Sequence, residues 1–268
     1  MSVTTKALII TKCSLADNIY YLKTERPKDF SFFPGQFARL GLSTLNESDP
    51  VIWRAQTIAC GTKSEALHFY IIYLKGEKFS VALKKNHAGS AITFDKKAYG
   101  YFTLDRFEPK GDLWLFFTGT GIAPYLAMLN NERIWKSFKN ISLIGAFREK
   151  SQNVYNEQIL SKITSSYKTI YQNRFSYIPI FTRQQTDSKC IINSKTLNTT
   201  IKSKHFEDLL SSGEIENMLN LSIGKNKSKV MLAGNPQMIM NTRDYLKKLG
   251  LQMSRRNNLA QIAVENYW

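Results

Sequence analysis

Length, composition and charge exclude several classes of protein. The chain has 268 residues, of which 43% are hydrophobic, so it can bury the core of one large domain or of two ordinary domains, and wholesale disorder is excluded. Its 37 Lys and Arg residues against 21 Asp and Glu residues give a formal net charge of +16, which favours anionic cofactors and acidic macromolecular partners.

Neither nucleic acid, nor a membrane, nor a metal is expected as a ligand. The basic residues are scattered and form no stripe interleaved with aromatic residues, so no nucleic-acid partner is predicted. No apolar run approaches the ~20 residues that would span a bilayer. Cys13, Cys60 and Cys190 are widely spaced and odd in number, which predicts no disulfide framework, no metal site and a reducing, cytoplasmic location.

Residues 1–105 have the pattern of a six-stranded antiparallel β-barrel. Short segments rich in β-branched and aromatic residues alternate with turn formers such as Pro34-Gly35. A short helix of one or two turns is expected before the sixth strand. The predicted strands are residues 7–11, 18–24, 36–42, 51–58, 67–73 and 91–94, and the predicted helix is residues 79–86.

Residues 106–268 alternate between apolar strands and helices, which predicts an α/β domain with a doubly wound parallel sheet. Residues 184–203 are polar and irregular, and we expect a long loop or insertion there. The predicted strands are residues 113–117, 141–147, 177–181 and 230–233, and the predicted helices are residues 123–129, 156–165, 206–210 and 238–249.

Two glycine turns connect strands to helices in this second domain. The apolar run 113–117 breaks into Thr118-Gly119-Thr120-Gly121, and a helix restarts behind Pro124. Free backbone N–H groups and the helix dipole then favour phosphate at one point, although similar turns occur in α/β domains that bind nothing. The second turn is Gly234-Asn235-Pro236-Gln237-Met238, where helix capping by Asn235 and Pro236 is an alternative explanation.

Three arginines and the terminal aromatic residues are further candidates. Arg54 in the fourth barrel strand suits a diphosphate, while Arg148 and Arg183 follow strands of the parallel sheet and suit a phosphate monoester. Solvated arginines would look the same in sequence. The chain ends on Tyr267-Trp268, which indicates docking into a core or against a planar ligand.

Together these segments resemble the bacterial ferredoxin/flavodoxin–NADP⁺ reductases, and the resemblance runs nearly end to end. It implies an FAD-binding barrel in residues 1–105 and an NADP(H)-binding domain in residues 106–268. It is carried by residues 34–37, 54–57, 69–72, 118–125, 234–238 and 264–268.

The resemblance implies two catalytic residues and two sets of cofactor contacts. Thr57 places a hydroxyl near flavin N5, and Tyr267 lies by the isoalloxazine face that nicotinamide must reach. The FAD contacts are Arg54 on the diphosphate, Ala55, Gln56, Thr57, Ile71, Ile72, Tyr73, Lys78, Phe79, Ser80, Thr120 and, stacked on the adenine, Trp268. The NADP(H) contacts are Gly119, Thr120, Gly121, Phe147, Arg148, Thr182, Arg183, Gly234, Asn235, Pro236, Gln237 and Met238, with the two arginines on the 2′-phosphate and Lys204 or His205 as candidates for a further basic contact.

The sequence departs from the family pattern at three positions. Gln56 stands where the family usually has a tyrosine stacked on the flavin, and Ala233 where a cysteine often precedes the second glycine turn. Glu77 stands in place of a glycine that contacts phosphate. A carboxylate beside a diphosphate is unfavourable, so we expect Glu77 to point outward.

The resemblance implies an enzyme that passes a hydride from NADPH to FAD and then single electrons to an acidic flavodoxin or ferredoxin. We expect transient, salt-sensitive complexes with these carriers and a monomeric enzyme. Two alternatives stay open: a reductase of free flavin or of an oxygenase on the same fold, and a redox-inactive relative that binds nucleotide, which the departures at Gln56 and Glu77 would fit.

Overall fold

The computed structural model describes residues 3–16, 18–43, 50–167, 173–183, 187–192, 195–201 and 205–267. The chain divides into two compact units. The first comprises Met1–Thr103 with Ala123–Asn131, and the second comprises Leu104–Ile122 with Glu132–Trp268. Each unit is built on one β-sheet.

The sheet of the first unit is a nearly closed antiparallel barrel, as predicted. Its spatial order is β4-β3-β6-β1-β2-β5, and every neighbouring pair is antiparallel. The edges meet just beyond β4, where Ile58 and Phe69 form an isolated bridge and the Ala59 N–H donates to the His68 carbonyl at 2.8 Å. The strands are β1 (Thr4–Ala16), β2 (Ile19–Glu25), β3 (Phe37–Leu42), β4 (Ile52–Thr57), β5 (Ala66–Ile72) and β6 (Ala91–Asp95).

Alternating side chains of these strands fill the barrel core. Leu22, Leu40 and Phe94 are fully buried there. The short helix α1 (Lys78–Lys85) adds Phe79 and Leu83 to the same core, so one apolar face fixes the helix against the barrel. That packing also fixes the position of the first turn of α1.

The sheet of the second unit is predominantly parallel, with the order β11-β10-β9-β8-β7-β12-β13. The five strands from β9 to β13 in this order are mutually parallel, and β10 pairs antiparallel with both β9 and β11. The strands are β7 (Asp112–Thr118), β8 (Asn140–Phe147), β9 (Phe175–Phe181), β10 (Asp187–Ile192), β11 (Lys195–Thr200), β12 (Ser228–Gly234) and β13 (Ile262–Asn266).

Six more helices complete the described chain. The central strands β7 and β12 each contain a continuous buried apolar run, residues 113–117 and 230–233, which is typical of parallel strands covered on both faces. No helix in the described ranges is long and apolar enough to cross a membrane. The helices are α2 (Ala123–Leu129), α3 (Glu132–Ser137), α4 (Val154–Tyr167), α5 (Phe206–Ser211), α6 (Glu214–Leu219) and α7 (Pro236–Lys248).

The prediction of an irregular loop at residues 184–203 is wrong for most of that segment. Residues 187–192 and 195–200 form the β10–β11 hairpin, whereas residues 184–186, 193–194 and 202–203 lie outside the described residues. The hairpin extends the sheet antiparallel, so the sheet is mixed. Ser188 and Cys190 are buried in β10, but nearly every side chain of β11 is exposed, which explains why the pattern looked irregular.

Candidate functional site

In the first unit, strand β4 places Arg54 and Gln56 on one face of the barrel sheet. Their register partners in β3 are Leu40 and Ala38, which belong to the buried core. Because paired residues of an antiparallel ladder share a face, Arg54 and Gln56 start on the core side. Ala55, on the opposite face, is exposed, and Thr57 at the strand end is buried.

Arg54 bridges the two edge strands of the barrel. Its Nη1 donates to the Ile72 carbonyl in β5 at 3.2 Å and contacts the Ser80 hydroxyl of α1 at 3.5 Å. The Ser80 hydroxyl oxygen in turn accepts from the Leu74 N–H at 3.1 Å. The fold thus brings together Arg54, Ile72 and Ser80, three of the residues predicted to hold FAD.

Glu77 points toward Arg54, contrary to the expectation that it points outward. Its carboxylate caps α1, accepting from the N–H groups of Phe79 at 3.0 Å and Ser80 at 2.8 Å. It also accepts from the Ser80 hydroxyl at 2.8 Å and lies 3.3 Å from Arg54 Nη1. Unlike a glycine, a glutamate can supply the negative cap that this helix start favours.

The ionisation of Glu77 reflects this setting. Burial raises the pKa of the carboxyl, but the hydrogen bonds from Phe79 and Ser80 and the charge of Arg54 outweigh burial, so the pKa lies below its usual value. The carboxylate is therefore ionised at neutral pH. We call Arg54, Glu77, Phe79 and Ser80 the Arg54 cluster.

The donors of the Arg54 cluster are those that a diphosphate requires. A guanidinium, two first-turn amides and a hydroxyl converge on one anion, which in the free chain is the Glu77 carboxylate. The donor set binds a carboxylate here, and donors of the same kinds bind phosphate groups. Of the other predicted contacts nearby, Ile71 is fully buried in β5, Tyr73 is half-buried and Lys78 is exposed.

Gln56 is a buried polar residue of β4. Only 8% of the residue is exposed. It lies two residues from Arg54 on the same face of β4.

In the second unit, the parallel strands end at one edge of the sheet, and the predicted nucleotide contacts follow those ends. We call this set the carboxyl edge: Gly119, Thr120, Gly121, Phe147, Arg148, Thr182, Arg183, Gly234, Asn235, Pro236, Gln237, Met238 and Tyr267. Ligands of parallel sheets bind at this edge. The residues that the sequence predicts to contact the nucleotide therefore follow the strands at the sheet edge where a nucleotide site is expected.

The two glycine turns pack directly on each other. A Cβ at Gly121 would lie 2.4 Å from the Ala233 carbonyl oxygen, and one at Gly234 would lie 2.2 Å from Thr118 Oγ1. Gly234 also has φ +130°, which disfavours any other residue. The Asn235 N–H donates to Thr118 Oγ1 at 2.8 Å, so the turns after β7 and β12 form one surface of backbone.

Asn235 caps α7, and Pro236 begins it. The Asn235 side chain accepts from the N–H groups of Gln237 at 2.9 Å and Met238 at 3.2 Å. Asn235, Pro236 and Gln237 are exposed, and Met238 is half-buried. The capping explanation of this motif is thus satisfied, and the exposed position leaves the same residues accessible to a ligand.

Arg148 and Arg183 lie side by side. The Arg183 N–H donates to the Arg148 carbonyl at 3.2 Å, and just before them the Thr182 N–H donates to the Phe147 carbonyl at 2.8 Å. Both arginines are exposed. Within the described part of the chain neither guanidinium has an ion-pair or hydrogen-bond partner, so both are available to a phosphate monoester.

Sequence reasoning missed Glu265, which lies in β13 opposite Ala233. The Tyr267 hydroxyl donates to Glu265 Oε2 at 2.8 Å, and the Tyr267 N–H donates to the Gly234 carbonyl at 2.9 Å. Burial raises the pKa of Glu265 to about 7, although the bond from Tyr267 opposes the rise. The only signal in the sequence that could have pointed to Glu265 is its position two residues before the terminal aromatic pair.

The remaining predictions concern Thr120, the candidates for a further basic contact, Trp268 and metal binding. Thr120 is buried in the first glycine turn, and His205 precedes α5 without a side-chain capping bond. Lys204 and Trp268 lie outside the described residues. No group of three or more potential metal-ligating side chains occurs in the ranges that the structure describes.

Comparisons with known proteins decide the family. Residues 115–244 match the model of the oxidoreductase NAD-binding domain. A flavodoxin/ferredoxin–NADP reductase of Buchnera aphidicola subsp. Baizongia pistaciae is 32% identical over 238 residues, covering 88% of either chain. The chain belongs to the flavodoxin/ferredoxin–NADP reductase family. The reductase of Escherichia coli (strain K12) is 28% identical over 231 residues, covering 84% of this chain and 83% of that reductase.

The fold of this reductase family member also matches a solved structure. A ferredoxin NADP⁺ reductase from Neisseria gonorrhoeae, crystallised with bound FAD and NADP, superposes with a TM-score of 0.84 at 26% identity, and all of each chain is covered. The family resemblance and the two-domain fold class predicted from the sequence are confirmed.

Proposed function

We propose that the protein is an FAD-dependent NADPH reductase whose electron acceptor is a flavodoxin or a ferredoxin. The proposal rests on one observation above all. At the carboxyl edge, where the packed glycine turns after β7 and β12 lie, the exposed residues Arg148 and Arg183 are joined by a backbone hydrogen bond, and neither guanidinium has a partner among the described residues. Backbone for a pyrophosphate and two guanidiniums for a 2′-phosphate are what NADPH requires.

The Arg54 cluster and Gln56 support the flavin site. Arg54, the first-turn amides of α1 and Ser80 would hold the diphosphate of FAD, and the buried Gln56 amide would hydrogen-bond the cofactor. Thr57 would offer its hydroxyl at the end of β4. Ile71, Ile72, Tyr73, Lys78 and Phe79 would complete this side of the site, with Thr120 and Trp268 contributed from residues 106–268.

FAD, when bound, would accept a hydride from NADPH and release its electrons singly. The residues of the chain would bind and orient. Arg148 and Arg183 would select NADPH over NADH, and the turns 119–121 and 234–238 would position the pyridine nucleotide. Tyr267, which bonds to Gly234 and Glu265, would lie by the flavin face that nicotinamide must reach.

The acceptor and the setting are part of the proposal. With a net charge of +16, the protein would form transient, salt-sensitive complexes with acidic carriers and would act as a monomer. Cys13, Cys60 and Cys190 are free, which favours the reducing cytoplasm.

An anaerobic visible spectrum tests the hydride step. We expect the purified protein, loaded with FAD, to lose its oxidised-flavin absorbance much faster with one equivalent of NADPH than with NADH. Turnover with flavodoxin and ferredoxin should exceed turnover with free FMN. A protein that prefers free FMN would instead be a flavin reductase, and one that cannot be loaded with FAD would contradict the proposal.

A further inference from the structure

The Glu77 carboxylate occupies the place of an anion in the site proposed for the FAD diphosphate. It is bound by the Phe79 N–H, by the Ser80 N–H and hydroxyl, and by Arg54. Each of these contacts lies within the first unit. The side chains of Arg54 and Glu77 are 22% and 35% exposed to solvent, so the ion pair is partly shielded from water.

A diphosphate and this carboxylate compete for the same donors. The N–H groups at the start of α1 point at one position, and Arg54 is the only cation that the described contacts bring to it. Two anions at that position would repel each other strongly at the low effective dielectric of a partly buried site. A diphosphate at this position would therefore require the Glu77 side chain to leave.

We propose that Glu77 is an intramolecular competitor that sets the affinity of this protein for flavins according to their phosphate groups. The inference rests on the proposed function, because it assumes that the flavin binds at the Arg54 cluster. Glu77 penalises FAD and FMN, which carry phosphate, and does not penalise riboflavin, which carries none. Cofactor binding is thereby coupled to release of the α1 cap.

The competition separates Glu77 from a residue that merely supports the fold. Glu77 caps α1 and pairs with Arg54, so its loss destabilises the flavin-free protein. A purely structural residue would, when replaced, weaken flavin binding as well as stability. A competitor has the opposite effect on binding: stability of the flavin-free protein falls while affinity for FAD rises.

The test uses the full-length, flavin-free protein and two variants of Glu77. Glu77→Gln keeps the size of the side chain without its charge, and Glu77→Ser keeps a neutral capping hydroxyl. The control is Glu65→Gln, which removes the same charge from an exposed residue preceding β5, at the end of that strand opposite to Ile72. FAD, FMN and riboflavin are titrated separately by quenching of flavin fluorescence, and thermal unfolding is followed without flavin.

We expect both Glu77 variants to bind FAD about tenfold more tightly than the unaltered protein, which corresponds to about 1.4 kcal/mol. FMN affinity should also rise, riboflavin affinity should stay within about twofold, and Glu65→Gln should match the unaltered protein. The melting temperature of flavin-free Glu77→Gln should fall. FAD affinity that is unchanged or weaker in both Glu77 variants would overturn the competition while leaving the proposed function standing. Failure of every variant to bind any of the three flavins would overturn the proposed function as well.

Discussion

At the scale of single residues, Glu265 couples folding to pH. Its pKa is about 7 in the folded chain, because burial disfavours the ionised form, against 4.5 for an ordinary glutamate. Below about pH 4.5 the carboxyl is protonated in both the folded and the unfolded chain, so it does not lower the free energy of unfolding. As the pH rises toward 7, the carboxyl loses its proton in the unfolded chain before it does so in the folded chain. The free energy of unfolding therefore falls, and the whole of this decrease is reached above pH 7.

Glu265→Gln should remove this decrease. The amide oxygen can still accept from Tyr267, so we expect the variant to exceed the unaltered protein in stability by up to ~3 kcal/mol above pH 7 and to match it near pH 4.5. Thermal unfolding of the flavin-free protein from pH 4.5 to 8 measures the difference. Glu132→Gln, at an exposed position of the same unit, is the control. Equal pH profiles for Glu265→Gln and the unaltered protein would contradict the prediction.

Arg148 and Arg183 carry the proposed preference for NADPH. Replacing either by Gln leaves the fold intact, because the side chains are exposed and only their backbone groups take part in the strand ends. Each variant should raise the KM for NADPH by about tenfold or more, since a charge-assisted bond to phosphate is worth ~1.5–3 kcal/mol. The KM for NADH should barely change.

The kinetic control for this prediction is Arg255→Gln, at an exposed position outside the carboxyl edge. Its kinetics with both nucleotides should equal those of the unaltered protein. If Arg148→Gln and Arg183→Gln weakened NADPH and NADH alike, the two arginines would not contact the 2′-phosphate.

At the scale of elements, the C-terminal end of α1 depends on a lysine from another strand. Lys12 Nζ in β1 donates to the carbonyls of Leu83 at 2.8 Å, Lys84 at 3.0 Å and also Asn86. These are carbonyls that the helix cannot satisfy internally, and a cation there complements the helix dipole. Burial lowers the pKa of Lys12, which shows that the ammonium is partly removed from water.

Lys12→Met should therefore destabilise the first unit. We expect the free energy of unfolding to fall by ~1–2 kcal/mol. The methionine side chain takes the place of the apolar part of the lysine, but the carbonyls at the helix end lose their donor. Denaturant unfolding followed by circular dichroism measures it, and Lys28→Met, at an exposed position of the same unit, should change stability much less. Equal losses in the two variants would show that the cap contributes nothing.

The elements also show where sequence patterns fail. The barrel strands and the apolar strands of the parallel sheet follow directly from alternation and from continuous apolar runs. Strand β11 has neither pattern, because it is an edge strand with almost every side chain exposed, and it forms through its hydrogen-bond ladder with β10. Such pairing depends on a neighbouring strand and is invisible in the segment alone.

At the scale of the whole molecule, the net charge of +16 should govern the encounter with an acidic electron carrier. We expect kcat/KM for flavodoxin or ferredoxin to fall steeply as ionic strength rises from about 20 to about 500 mM, because salt screens charges over a few ångströms. The rate with an uncharged quinone acceptor serves as the control and should change little. A carrier rate that is indifferent to salt would exclude electrostatic steering.

The sequence by itself determined the two-domain architecture, the glycine turns and the positions of Arg54, Arg148 and Arg183, because periodicity and turn chemistry are local properties. Only the tertiary structure decided that Glu77 faces Arg54, that Gln56 is buried and that Glu265 has a raised pKa. Each of these depends on groups far apart in the chain: Glu77 meets Arg54 across the seam between β4 and α1, and Glu265 lies opposite Ala233 across a parallel ladder. The direction of a side chain and the removal of its water follow from packing, and no local pattern encodes them.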